Sequence, residues 1–150
     1  MKRLVFLKWL LPTSLLIAAG LVLIAYAASR EVRLAQVYAT HTAAAAAFEA
    51  GDLKTAYTLY LASSYEFEDP KLKAICLYEA ATAGWIGGFA DYNTLVGLYK
   101  QSLRYSPGFD EAALNLEYLY WLKTNAPEQL PQPDPGTNPG REEEIPSGDV

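Results

Sequence analysis

His41 is the only histidine of this chain and Cys76 the only cysteine, so the side chains best suited to proton transfer and nucleophilic attack occur once each. A catalytic set would have to bring Cys76 or a serine to His41, with a carboxylate behind the ring to orient it. His41 instead lies in an alanine-rich stretch with no nucleophile motif nearby, where a surface or helix-packing role is expected. Cys76 is set among Ile75, Leu77 and Tyr78, the surroundings of a small buried hydrophobe rather than of a reactive thiol. One histidine, one cysteine and scattered acids offer no zinc spacing. Glu142, Glu143 and Glu144 would hold calcium only within an ordered loop that also supplied carbonyl oxygens, and a solvated charge run is the better reading. Glycine-rich phosphate loops, a nucleophile elbow and a zinc-protease helix are missing from the sequence. The expectation is a non-enzymatic protein with no catalytic residue, no cofactor and no metal.

The net charge of −5 is unevenly spread. Residues 1–30 carry Lys2, Arg3, Lys8 and Arg30 and no acid, whereas seven basic and eleven acidic residues lie between Glu31 and Lys123. From Thr124 onward Arg141 faces six acids. A domain and a tail that are both negative argue against nucleic acid, whose phosphates need a basic surface. The single cysteine leaves no internal disulfide from which to read a redox compartment.

The elements that would position any site begin with an apolar start. Residues 9–29 form 21 uncharged positions, mostly Leu, Ile, Val and Ala, flanked by Trp9 and Tyr26. As a helix this run would cover about 30 Å, the thickness of the hydrocarbon core. The pattern predicts a transmembrane anchor over 9–29 after a cytoplasmic basic start at 1–8. The excess of Lys2, Arg3 and Lys8 over Arg30 and Arg33 orients the amino terminus inward. The domain and tail would then be periplasmic on a single-pass protein of a bacterial inner membrane. The alternative is a cleaved signal peptide, for which Ala25-Tyr26-Ala27 supplies small residues at a cleavage site.

Residues 30–123 read as an all-α domain, since no sustained alternation of β-branched residues appears and proline is absent between Arg33 and Pro70. Leu53, Ala56, Tyr57, Tyr60, Leu61 and Ser64 form one apolar stripe behind Asp52 as N-cap. Asp69-Pro70 opens the next helix, with cap and proline in their favoured places. Tyr92, Leu95, Val96, Tyr99, Ser102 and Leu103 follow Asp91 and stop at Pro107-Gly108. Phe109, Ala112, Ala113, Leu116 and Tyr120 mark a last helix that ends near Lys123. Residues 124–150, with six prolines, three glycines and almost no large apolar side chain, predict a disordered acidic tail.

The stretch from Ala47 to Ala56, with its Gly51-Asp52 turn and then Tyr60 and Ser63, resembles the middle of a tetratricopeptide repeat. Ala90-Asp91-Tyr92, Tyr99, Ser102 and Pro107 repeat the register, and Asn115-Leu116 stands where the next first helix carries an Asn-Leu pair. Glu117 departs from the small residue expected there, Asp52 and Asp91 are 39 apart rather than 34, and regularity is most doubtful at Gly84, Gly87 and Gly88. The resemblance, over about residues 40–123, implies a short tetratricopeptide-like domain. The order of span, repeats and proline-rich tail is also similar to the membrane-anchored repeat proteins encoded beside MoxR-type ATPases and von Willebrand factor A proteins. The K component of methanol-oxidation clusters, implicated in maturing methanol dehydrogenase, is of that kind. Partners implied by that likeness are von Willebrand factor A-type or MoxR-associated membrane proteins.

Within that register Tyr118 and Trp121 point toward a concave groove, with His41, Ala45 and Phe48 on the same surface. Leu114, Tyr118, Trp121 and Leu122 form a second apolar stripe on the last helix, which must be covered by the domain itself or by a partner. His41, Phe48, Leu114, Tyr118, Trp121 and Leu122 are thus the candidate partner-binding residues. The expected function is that of a membrane-anchored adaptor or assembly factor that binds protein and no small molecule. The alternative is a structural accessory subunit of a membrane complex.

Overall fold

A computed structural model describes residues 2–131 of the chain, with side chains from Ala19 onward. The architecture is all-α, as the sequence implies: α1 (Lys2–Glu49), α2 (Leu53–Glu66), α3 (Pro70–Ile86), α4 (Tyr92–Tyr105) and α5 (Asp110–Asn125), followed by a single 3-10 turn at Pro127–Gln129. Each helix packs chiefly on its neighbours in the chain, so the domain is a row of helical hairpins. Side-chain contacts between α1 and α3, and between α3 and α5, bring these three helices together on one surface.

Local chemistry explains the breaks. Gly51 takes a left-handed conformation, φ 80°, and its N–H donates to the Phe48 carbonyl while the Asp52 N–H donates to that of Ala47. This closing pair of bonds satisfies carbonyls that α1 would otherwise leave free. The Asp52, Asp69 and Asp91 carboxylates then accept from the N–H groups of Thr55, Lys71 and Thr94 at 3.1, 2.8 and 2.7 Å. All three caps fall where the sequence puts them. The bonds to Thr55 hold the Asp52 carboxyl below its ordinary value. Replacing Asp91 with alanine is expected to cost about 1 kcal/mol, read as a lower denaturant midpoint at unchanged slope.

Gly84, doubtful in the repeat register, lies inside α3 because the chain crowds it. A Cβ there would stand 2.7 Å from the Ala90 Cβ and 3.3 Å from the Tyr57 ring. The core comprises one cluster around Ala81, Leu95, Tyr99, Ala112 and Leu119, a second around Ala44, Ala56, Tyr60, Ala80 and Ala83, and a third of Val37, Phe67 and Cys76. Its many alanines let backbones approach closely. Ser102 extends the same economy, donating from a fully buried position to the Ala74 carbonyl at 2.8 Å.

Two expectations are corrected here. Among the described residues no helix is long and apolar enough to cross a membrane, so the anchor over 9–29 is withdrawn, and with it the single-pass inner-membrane placement with a periplasmic domain. From Ala19, where side chains are described, the uncharged run lasts only to Ser29 before Arg30, Glu31 and Arg33 interrupt it. A span needs about 20 apolar residues. The part of the expected anchor before Ala19 lies outside the described side chains. No boundary separates an anchor from a domain either, because α1 continues unbroken for 48 residues into the first helical hairpin.

The second correction concerns α5. Its core face is Ala112, Leu119 and Leu122, whereas Tyr120, assigned to the core stripe from the sequence, is 41% exposed. An apolar pattern on nearly all sides cannot select a face by itself, and packing on α4 chose the one carrying Leu119. The helix runs to Asn125, and Leu130 folds back against the core cluster beyond the expected start of the tail. The remainder of that tail, residues 132–150, lies outside the described residues.

Candidate functional site

Helix α3 supplies the centre line of the site. Tyr78, Thr82, Trp85 and Ile86 recur at the spacing of one helical face. With Phe48 of α1, Glu79 of α3 and Tyr60 of α2, Tyr78 and Thr82 line a depression of about 230 Å³. A second depression of about 320 Å³ lies toward α5, where Thr82, Trp85 and Ile86 meet Asn115, Tyr118, Leu122 and Gln129 over a floor formed by Tyr99. Thr82 lines both, so the two depressions adjoin on α3, and together they are called the groove below.

The end of the groove toward α1 is polar. His41 Nε2 lies 3.0 Å from Glu79 Oε2, and the imidazole meets the Tyr60 and Phe67 rings edge-on at 5.4 and 6.1 Å. His41 is therefore a packed, hydrogen-bonded link between α1 and α3. Burial raises the Glu79 carboxyl above its ordinary value, and His41 opposes that shift. Burial, reinforced by Glu79, pushes the Tyr60 hydroxyl up to about 12.

A carboxyl whose folded value exceeds the unfolded 4.5 binds more protons in the native state. Its stabilising contribution is present below the unfolded value and is lost as pH rises through the folded one. Glu79→Gln is expected to remove this loss, so the melting temperature of wild type should fall relative to the variant as pH rises above 4.5. Parallel melting curves across that range would contradict the assignment.

The end toward α5 is aromatic. Trp85 and Tyr118 stack with centroids 5.7 Å apart and planes within 8°, and Trp121 continues the stack on Tyr118 at 6.0 Å and 9°. Beneath them the Tyr99 hydroxyl accepts from Asn115 Nδ2 at 3.3 Å and lies 3.4 Å from the Thr82 hydroxyl. The donors and acceptors of the floor are thus partly committed to one another. Burial raises the Tyr99 hydroxyl, while these two partners pull it down.

Of the residues singled out from the sequence, Phe48, Tyr118 and Leu122 line the groove, and Trp121 joins it by stacking. Leu122 is only 1% exposed, so it serves as floor. His41 reaches the groove through Glu79. Leu114 lines neither depression and stands 64% exposed, one helical stripe with Tyr118 and Trp121 at 49% and 53%. Trp85, Asn115 and Thr82 were missed. The spacing of Tyr78, Thr82 and Trp85 held the signal, which the glycines at 84, 87 and 88 obscured.

No cysteine, histidine or serine lines the two depressions. Cys76 is 1% exposed, and burial pushes its thiol up to about 12, leaving a packing residue. A further cavity of about 470 Å³ lies between α1 and α2 around Arg33, Thr40, Ser63 and Glu66, and is lined by none of the candidate partner-binding residues. Arg33 and Glu66 are joined there by an exposed ion pair at 3.0 Å. Comparison with known protein families, with characterised proteins and with solved structures finds no match.

Proposed function

We propose that this chain is a non-enzymatic protein-interaction module, a short tetratricopeptide-like domain that captures a segment of a partner protein in the groove across α1, α3 and α5. The observation that carries this reading is the stack of Trp85, Tyr118 and Trp121. Tyr118 and Trp121 stand about half exposed on the partly buried Trp85, with Leu114 extending the apolar surface. Tyrosine and tryptophan dominate interface energetics because they bury much area at little conformational cost. The tetratricopeptide-like part of the reading draws on the Gly51-Asp52 turn and the Asp91 cap, and on the neighbour-to-neighbour packing of the hairpins.

An adaptor or assembly factor is the role such a module fits. The narrower likeness to the repeat proteins of methanol-oxidation clusters leaned on a membrane span as well as on repeats, and it adds no partner once the span is withdrawn. The test is co-purification from native extract with the Tyr118→Ala/Trp121→Ala variant beside wild type. Loss of a defined set of partners with unchanged helical circular dichroism is expected. Unchanged capture, or collapse of the fold, would assign these rings to packing alone.

A further inference from the structure

The depression toward α1 has the walls of a cation site. Phe48 of α1, Tyr60 of α2 and Tyr78 of α3 bring three aromatic rings around one carboxylate, Glu79, and no lysine or arginine lines it. Its volume of about 230 Å³ is below the roughly 300–1,000 Å³ that takes a drug-sized ligand, so it suits one side chain rather than a whole molecule. We propose that this depression binds the guanidinium of an arginine carried by the segment that the groove captures. The proposal rests on the interaction reading above and adds to it the class of segment selected, a basic one.

Charge complementarity supports that occupant. His41 Nε2 meets Oε2 of Glu79 at 3.0 Å, and Oε1 has no partner among the described residues. Burial raises the Glu79 carboxyl even with His41 opposing, so its negative charge is under-compensated where it stands. A cation supplied from outside completes it. Glu49 adds a second negative charge that acts on Tyr60, and eleven acidic residues against seven basic ones lie between Glu31 and Lys123. Such a surface draws in a basic partner and repels an acidic one.

The walls favour arginine over lysine. A guanidinium is planar, weakly hydrated and able to stack on aromatic rings while its fork of N–H groups donates to a carboxylate. Its attraction to a ring extends to about 6 Å from the centroid. The lysine ammonium holds its water more tightly and loses more on entering a depression with three aromatic walls. The Thr82 hydroxyl donates to the Tyr78 carbonyl at 2.9 Å and keeps lone pairs with which to accept from the guanidinium. Spacing adds a second constraint. Glu79 and Trp85 are six residues apart on α3, about 9 Å along the axis, which an extended segment covers in about three residues. The captured segment therefore carries an arginine and, three residues away, an apolar side chain that rests on Trp85 and Tyr118.

The test uses the full chain and a blocked tetrapeptide, Arg-Ala-Ala-Phe, beside analogues with lysine or uncharged citrulline in the first position. Ring resonances of Tyr60, Tyr78 and Trp85 are followed during titration. The arginine peptide is expected to shift all three and to bind at least tenfold more tightly than the citrulline peptide, with lysine between them. Glu79→Gln, which keeps a polar group beside His41, should reduce the arginine peptide to the affinity of the citrulline one. Equal binding of the arginine and citrulline peptides to wild type, or shifts confined to Trp85, would overturn the proposal, and this comparison holds even if Glu79→Gln fails to fold. Lysine binding as tightly as arginine would overturn the choice of guanidinium. Partner capture from native extract separates this from the functional reading. If Tyr118→Ala/Trp121→Ala loses its partners while the arginine and citrulline peptides bind wild type alike, the interaction module stands and the cation site falls. If the arginine peptide alone shifts Tyr60 and Tyr78 while capture is unchanged in Tyr118→Ala/Trp121→Ala, the cation site stands and the aromatic stack is not the partner surface.

Discussion

Tyr99→Ala is expected to destabilise the domain by about 3–5 kcal/mol, the range seen when a large buried aromatic is truncated and its cavity remains. Tyr99 is 1% exposed, lies in the cluster that joins α3, α4 and α5, and holds Asn115 of α5 through its hydroxyl. A domain of this size has only about 5–15 kcal/mol in total, so the variant should be substantially unfolded under mild denaturant. Tyr99→Phe separates the ring from its hydroxyl. It removes the bonds with Asn115 and Thr82 but no packing, and should cost about 0.5–1.5 kcal/mol. Urea titrations of both variants against wild type measure the difference. Equal loss in the two would place the contribution of Tyr99 in its polar bonds and contradict the packing role.

Trp85→Ala is expected to weaken partner binding by at least about 2 kcal/mol, roughly thirtyfold, since a central aromatic at the edge of a pocket is the usual form of a hot spot. Trp85 sits on the middle helix, and its ring supports Tyr118, which in turn supports Trp121. Its removal would free Tyr118 and Trp121 to reorient. Trp85→Phe preserves a stacking face and should retain most of the affinity. Titration calorimetry with the captured partner reads both variants, and the melting temperature identifies any share due to lost stability. Wild-type affinity in Trp85→Ala would remove the α5 end of the groove from the interface.

The caps and breaks were legible residue by residue because they depend on interactions within one turn. Asp52, Asp69 and Asp91 bond N–H groups two or three positions on, and Gly51 reverses the chain with bonds to Phe48 and Ala47. No distant residue is needed for either. The stripe of α4 was legible for a related reason. Leu95, Tyr99 and Ser102 are buried together, and the opposite face of that helix is polar enough to leave one solution.

Residues 9–29 show where such reading overreached. Composition alone ranks an uncharged run as a span, yet no described helix is long and apolar enough to cross a membrane, and α1 carries its apolar start directly into the domain. The candidate site was half legible for a different reason. Phe48, Tyr118 and Trp121 declare themselves as aromatics on predicted helix faces, but Trp85 becomes their neighbour only when α3 lies between α1 and α5.

By itself, then, the sequence determined the helical class, the order of hairpins and the residues that start and stop them. These are short-range matters of capping, proline placement and glycine conformation. Only the tertiary structure decided which side of α5 is core, that His41 is committed to Glu79, and that Trp85, Tyr118 and Trp121 form one stack. An amphipathic pattern states that a helix must be covered, whereas the identity of the covering surface depends on the close packing of residues far apart in the chain. That packing made α3 the floor between two helices and turned scattered aromatics into a groove.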